Sequence, residues 1–197
     1  MKNLLLSATV LSALAIGSAQ AAPFGPATAA IALLFSPTVT TVAPTGSVTM
    51  TGNIFATSAS GGLTGVTFGA GAGTVSFSTT LFTTIAEVIP GLFNFNDGFG
   101  GFYTFDLASV QTTNFVVNPA VSTSLALYLV GTMGDANRGQ TPTPTSVTLT
   151  FNSTGGSAFS GSASLANPPL PPHIPEPASL ALLGVGLLGL GMARRGF

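Results

Sequence analysis

The sequence predicts an all-β chain: an antiparallel β-sandwich, with a jelly roll as one form of it, set between an N-terminal signal helix and a C-terminal transmembrane helix. Three observations predict this. Apolar residues alternate with period two in several runs between Pro23 and Asn167, which places them on one face of a strand. Gly, Pro, Asn and Asp signals interrupt those runs at short intervals. The two long uncharged apolar segments lie at the extreme ends of the chain, and no convincing amphipathic helix lies between them.

Taken in order, Val48, Met50 and Ile54 alternate with Thr49, Thr51 and Asn53, and Val75, Phe77 and Leu81 alternate with Ser76, Ser78 and Thr80. Leu125 to Val130 is apolar on both faces and reads as a central strand. Val147, Leu149 and Phe151 alternate with Ser146, Thr148 and Thr150. They should form a hairpin with Phe159 to Leu165, closed by Asn152-Ser153-Thr154-Gly155-Gly156. Pro44-Thr45-Gly46, Asn96-Asp97-Gly98 and Asn137-Arg138-Gly139 supply further turns.

Charged residues make up 5% of the chain, against about 25% in an ordinary soluble domain, while hydrophobic residues reach 46%. The polar faces must therefore be built from hydroxyls. Between Ala22 and Pro172 the only cation is Arg138, against Glu87, Asp97, Asp106 and Asp135. One cation cannot make the basic footprint of a nucleic-acid binder, so no nucleic-acid partner is expected. With no cysteine there is no disulfide framework, thiol nucleophile or thiolate metal site.

At the N-terminus, Lys2 precedes an apolar run from Leu4 to Ile16, and small residues end in Ala19-Gln20-Ala21. This is the pattern of a secretory signal peptide over residues 1–21, cut after Ala21 with Ala19 and Ala21 as the small cleavage-site residues. An ectodomain then occupies 22–167, and a proline-rich extended spacer occupies 168–174. Residues 175–197 carry Pro175-Glu176-Pro177, an uncharged run over 178–193, and Arg194-Arg195. As a helix the run would measure about 24 Å, short of a roughly 30 Å hydrocarbon core but close enough for snorkelling arginines to complete the span. The arginines act as a stop-transfer signal and stay cytoplasmic, so the ectodomain faces outward.

The stretch Ile174-Pro175-Glu176-Pro177-Ala178-Ser179-Leu180, continuing to Ala193-Arg194-Arg195, resembles the PEP-CTERM sorting domain of Gram-negative bacteria. The resemblance covers only the tail. It implies exosortase as a partner, Pro175, Glu176 and Pro177 as the sorting motif, and an intermediate held in the inner membrane by the tail helix. It further implies a final place at the cell surface or in an exopolysaccharide matrix. Within the tail, Gly184-Val185-Gly186-Leu187-Leu188-Gly189 matches the dinucleotide-binding pattern but lacks the preceding strand and the downstream acid, and reads as close-packing membrane-helix glycines.

The ectodomain offers little for catalysis. His173, the only histidine, lies in the spacer, which leaves no imidazole base or zinc ligand inside the fold. Glu87, Asp97 and Asp106 could pair as the acid and base of a glycosidase, but no spacing selects a pair. Asn94, Asn96, Asp97 and Asp106 could offer oxygens to calcium, yet a polar turn explains them better. Phe93, Phe95, Phe99, Phe102, Tyr103 and Phe105 read as core ahead of a sugar-stacking platform. The Thr-rich stretch from Thr38 to Thr49 could form a hydroxyl surface for ice or crystalline polysaccharide, or ordinary solvent-facing strand. The expectation is a non-enzymatic structural or adhesive protein without metal or cofactor. A polysaccharide- or ice-binding module is the alternative, and a carboxylate glycosidase the more distant one.

Overall fold

The computed structural model describes residues 21–33, 37–118, 122–154 and 159–169. Among them the strands are β1 (Ala27–Leu33), β2 (Thr38–Val42), β3 (Thr45–Gly61), β4 (Phe68–Ser78), β5 (Thr84–Asn96), β6 (Phe102–Asn118), β7 (Ser122–Asp135), β8 (Thr143–Thr154) and β9 (Phe159–Asn167). From β3 onward each strand pairs antiparallel with the next, and β1 pairs with both β9 and β3. The sheet therefore closes on itself as an eight-stranded antiparallel barrel. β1 lies along Ile54–Gly61 of β3 and β2 along Thr45–Thr49, so the two are pieces of one interrupted stave.

Closure corrects the expected β-sandwich. A sandwich needs the sheet to break into two layers. Here Ala27 to Ala32 meets Asn167 to Ser162 on one side and β3 on the other, which leaves no break. A closed meander also removes nearly every sheet edge. The signal helix expected at 1–21 and the transmembrane helix at 178–193 fall outside the described residues, apart from Ala21. Among the described residues there is no helix, and so none long and apolar enough to cross a membrane.

An eight-stranded barrel has an interior just wide enough to be filled by side chains. Here phenylalanines lie over glycines. Gly46 faces Phe77, Gly71 faces Phe93, Gly69 faces Phe95 and Gly161 faces Phe151 across neighbouring strands. A Cβ on Gly161 would stand 2.7 Å from the Phe151 ring, and one on Gly71 would stand 3.1 Å from Phe93. Large-over-small pairing lets the rings reach the barrel axis, where Phe93 and Phe105 pack with centroids 6.0 Å apart. Val48, Met50 and Ile54 of β3, Leu125, Leu127 and Leu129 of β7, and Val147, Leu149 and Phe151 of β8 all point into this core with no exposure. Leu81 does not continue the β4 alternation; it lies past the strand end and is 43% exposed.

The outward positions are mostly Ser, Thr, Asn and Ala, as in Thr49, Thr51 and Asn53 on β3 and Ser160, Ser162 and Ser164 on β9. Apolar inside and hydroxylated outside is the reverse of a lipid-spanning barrel.

The barrel has two distinct ends. At one end lie the loops 62–67, 97–101 and 136–142, the first described residues and the exit of β9. Residues 141–145 hold the segment that enters β1 and the end of β9 there. The Thr141 amide donates to Ala22 O (2.9 Å) and the Phe24 amide to Thr141 O (3.0 Å). Thr143 Oγ1 donates to Phe24 O (3.1 Å), and Asn167 Nδ2 donates to Thr145 Oγ1 (3.0 Å). The far end holds the β2–β3 turn and the loop 79–83, joined where the Thr79 amide and hydroxyl both donate to Pro44 O.

Candidate functional site

The charged residues of the barrel are the natural first place to look for chemistry, and each carboxylate among them accepts backbone amides. The β5–β6 hairpin turns at Asn96-Asp97-Gly98, as the sequence predicts, and Asp97 Oδ1 accepts the amides of Phe99 (2.8 Å) and Gly101 (2.9 Å). The β7–β8 connection turns at Asn137-Arg138-Gly139. There Asp135 Oδ1 accepts the amides of Phe102 (3.1 Å), Asn137 (3.0 Å) and Arg138 (3.1 Å). Arg138 then spans the two turns. Its guanidinium donates to Asp97 Oδ2 (2.7 Å) and to the Tyr103 hydroxyl (2.7 Å), and stands 3.2 Å from Asp135 Oδ2. The Tyr103 hydroxyl in turn donates to Asp97 Oδ2 (3.1 Å), and Phe24 packs edge-on against the Tyr103 ring, centroids 5.8 Å apart.

Burial alone would raise the pKa of Asp97. The Phe99 and Gly101 amides, the Arg138 guanidinium and the Tyr103 hydroxyl outweigh it and hold the carboxyl at about 2. Burial, and then the hydrogen bond to Asp97, push the Tyr103 phenol up, and the bond to Asp97 pushes Arg138 up as well. Asp97 is thus a fixed anion inside a latch. Gly101 is required beneath it, because a Cβ there would meet Asp97 Oδ2 at 2.5 Å and Arg138 Nη1 at 2.8 Å.

The other two carboxylates repair irregularities in β5. This strand pairs with β4 only at Phe93–Asn96, and its register with β6 slips twice, so its first half flares outward. In the resulting gap Glu87 Oε2 accepts the Ser76 amide (2.9 Å). Burial raises the Glu87 pKa, opposed by that bond. On β6, Asp106 Oδ1 accepts the Gly91 amide (2.6 Å) within the slipped stretch.

The predicted carboxylate set is therefore separated into different structural tasks. Glu87, Asp97 and Asp106 each cap a different segment of backbone, with Asp97 facing a cation and not a second acid. Of the calcium candidates, Asn96 Oδ1 accepts the Gly98 amide (2.7 Å) in the turn. Among the described residues no group of three or more His, Cys, Asp or Glu is gathered as a metal site. The aromatic cluster divides: Phe93, Phe95, Tyr103 and Phe105 are core, whereas Phe99 (84%) and Phe102 (38%) are exposed. The Arg138–Asp97 meeting, 41 residues apart, escaped the sequence reading, which took both as turn residues; the one hint was that the barrel has a single cation.

What remains for contact with other molecules is an uncharged hydroxyl face over β3, β1, β9 and β8, strands that contain no Asp, Glu, Lys or Arg. Registered hydroxyls pair across it: Thr28 with Ser60 (2.7 Å) and Thr150 with Ser162 (2.8 Å). Small outward residues on β1 and β9, among them Ala30, Ser164 and Ala166, leave a shallow furrow of 260 Å³ between Ser58 and Thr148. The Thr38–Thr49 stretch forms the β2–β3 hairpin and borders this face; its Thr49 pairs with Thr74 of β4 (3.0 Å).

Ala21 O accepts the Thr141 hydroxyl (3.2 Å) at the same end of the barrel. Ala19, Pro175, Glu176, Pro177, Arg194 and Arg195 lie outside the described residues. Residues 173–195 match the PEP-CTERM protein-sorting motif. That match covers the sorting tail alone and bears on where the chain goes, not on what its barrel does. No curated protein and no solved structure gave a significant match. The PEP-CTERM motif marks an exported chain, sorted by exosortase through a membrane-anchored intermediate.

Proposed function

We propose that this chain is a non-enzymatic structural or adhesive protein of the bacterial cell surface or exopolysaccharide matrix, delivered there by its sorting tail. One observation carries this reading. All four carboxylates of the barrel accept backbone amides at turns or strand irregularities, while the β3–β1–β9–β8 face presents hydroxyls without charge. A carboxylate fixed as a backbone acceptor is poorly placed to exchange protons with a substrate. A neutral hydroxyl face suits a neutral, hydroxyl-rich polymer, because contact replaces water hydrogen bonds with similar ones and desolvates no ion.

The furrow favours polysaccharide over ice as the contact, since a chain polymer can lie along a groove whereas ice requires a flat plane. The full exported protein should co-sediment with its host's matrix polysaccharide, and Ser164→Lys with Thr148→Lys, which fill the furrow with charge, should weaken retention. Release of reducing ends from that polysaccharide by the purified protein would sink the non-enzymatic reading. Unchanged retention in the double variant would remove the furrow from it.

A further inference from the structure

We propose that the outer wall over β4 to β7 is a binding site for a neutral sugar chain, with a rung of half-exposed phenylalanines to stack the rings and a hollow beside Asp106 and Gln140 to take their hydroxyls. Strand alternation sorts the aromatic residues of this region. Phe93, Phe95 and Phe105 turn inward and are buried, whereas Phe55, Phe68 and Phe102 turn outward and are 43%, 48% and 38% exposed. Pairing sets the outward three on one rung, Phe55↔Phe68↔Asn96↔Phe102. Adjacent strands lie about 4.8 Å apart, so Phe68 and Phe102 stand roughly 10 Å from each other across Asn96. A contiguous exposed row of rings marks a contact surface.

The next outward rung is polar: Asn94↔Thr104↔Gly134. Gly134 has no side chain, and Pro142 of the returning loop packs over it, since a Cβ there would meet Pro142 Cα at 3.1 Å. Thr104, Asp106, Gln140 and Pro142 line a hollow of 280 Å³ at this point. Asp106 gives Oδ1 to the Gly91 amide, and its Oδ2 has no hydrogen-bond partner among the described residues. Gln140 Oε1 is buried and likewise without a partner. A buried carbonyl left unpaired is costly, and a hydroxyl entering the hollow supplies the missing donor.

A sugar ring carries the same division as this wall. Its C–H faces meet the electronegative faces of aromatic rings, and its hydroxyls lie around the rim. The polar rung runs about 7 Å from the ring rung, two residues along the strands, so a sugar laid on Phe68 or Phe102 turns its rim toward Asn94, Thr104 and the hollow. Neutral sugars fit best, because Arg138 is already bonded to Asp97 and Tyr103 and the barrel has no other cation to pair an acidic polymer. A lipid surface fits poorly, since it would strip water from Asn94, Asn96 and Asp106. The wall lies on the β4 side of β3, away from β1 and the furrow, and the proposal does not rest on what the furrow binds.

Full-length protein in phosphatidylcholine nanodiscs is to be titrated calorimetrically with cellohexaose, laminarihexaose and maltohexaose, three neutral glucans of different linkage. At least one should bind, and polygalacturonate should not. Phe68→Ser with Phe102→Ser should weaken binding by about tenfold or more with the Tm near the parent's, whereas Phe68→Tyr with Phe102→Tyr keeps the rings and should retain it. Gln140→Leu should weaken binding, and the furrow pair Ser164→Lys with Thr148→Lys should leave it unchanged. The chain has no cysteine, so Ala70→Cys, outward beside Phe68 and opposite Asn94, places a single thiol on the wall. Bound sugar should slow its labelling by maleimide. Failure of all three sugars to bind overturns the proposal, as does binding that survives the serine pair or Gln140→Leu, that is lost in the furrow pair, or that extends to polygalacturonate. An Ala70→Cys thiol shielded by the nanodisc without sugar assigns the wall to the membrane and overturns it too.

Discussion

The two ends of the barrel are built on different physical terms. At the end where Ala22–Phe24 and Asn167 are held, Arg138 joins Asp97, Asp135 and Tyr103 into a latch between two hairpin connections, and the carboxylates are almost fully buried. The far end has no such network among the described residues. Val42, Leu81 and Phe82 lie exposed there, and β5 flares away from β4 with Val88 82% exposed. Directional, charge-assisted bonds fix one end. Backbone pairing and greasy contacts serve the other. Three of the barrel's five charges are thus spent on one connection, which explains how a chain with so few ions can still hold long loops in one geometry.

The comparison breaks most visibly at Asp135. Asp135→Ala leaves three amides without an acceptor and Arg138 with one partner fewer, and it should cost about 3 kcal/mol, the low end for a buried pair because Arg138 is 42% exposed. Chemical denaturation should show this as a lower midpoint with little change in slope. Acid should open the same end next. The Asp97 pKa is about 2 in the fold against about 3.9 in an unfolded chain, so its contribution is complete above pH 4 and is lost as pH falls toward 2. Hydrogen exchange at Phe99 and Gly101 should accelerate across that window, and Asp97→Asn should flatten the response.

Glu87 should behave in the opposite sense. Its pKa is raised in the fold, so the charged form is the disfavoured one, and the penalty grows as pH rises through the folded pKa. Glu87→Gln keeps an acceptor for the Ser76 amide and should raise the unfolding free energy slightly at pH 7, by less than about 1 kcal/mol after solvent screening. The gain should vanish near pH 4. Val88→Thr, on the most exposed part of the flare, should stay within about 0.5 kcal/mol of the parent.

Strand identity was legible where inward positions are large. Val147, Leu149 and Phe151 announce themselves because their neighbours are hydroxyls. It faded where inward positions are glycine: Gly69, Gly71 and Gly73 of β4 point at Phe95, Phe93 and Leu92, so the chain reads as loop until Val75. β1 is mostly alanine and gave no period, yet it is the strand that closes the barrel. Closure also depends on pairings such as Ala29↔Leu165, which no local pattern reveals. The choice between sandwich and barrel turned on those small residues. Asn96-Asp97-Gly98 and Asn137-Arg138-Gly139 were read correctly as turns, whereas Thr45 and Gly46 already belong to β3 and Asn152 to Thr154 still belong to β8. What joins the two turns was not read, since a bond across 41 residues leaves no local mark.

Because residues 141–145 seat both Ala22–Phe24 and Asn167, any pull transmitted by the tail enters the barrel at the last rung of β9, beside the segment that leads into β1. Inter-strand hydrogen bonds lie crosswise to that pull. If a load hangs from the opposite rim, the rungs between β9 and its neighbours β8 and β1 resist together in shear instead of peeling one at a time. A cylinder gripped at one mouth and loaded at the other would carry force along its strands.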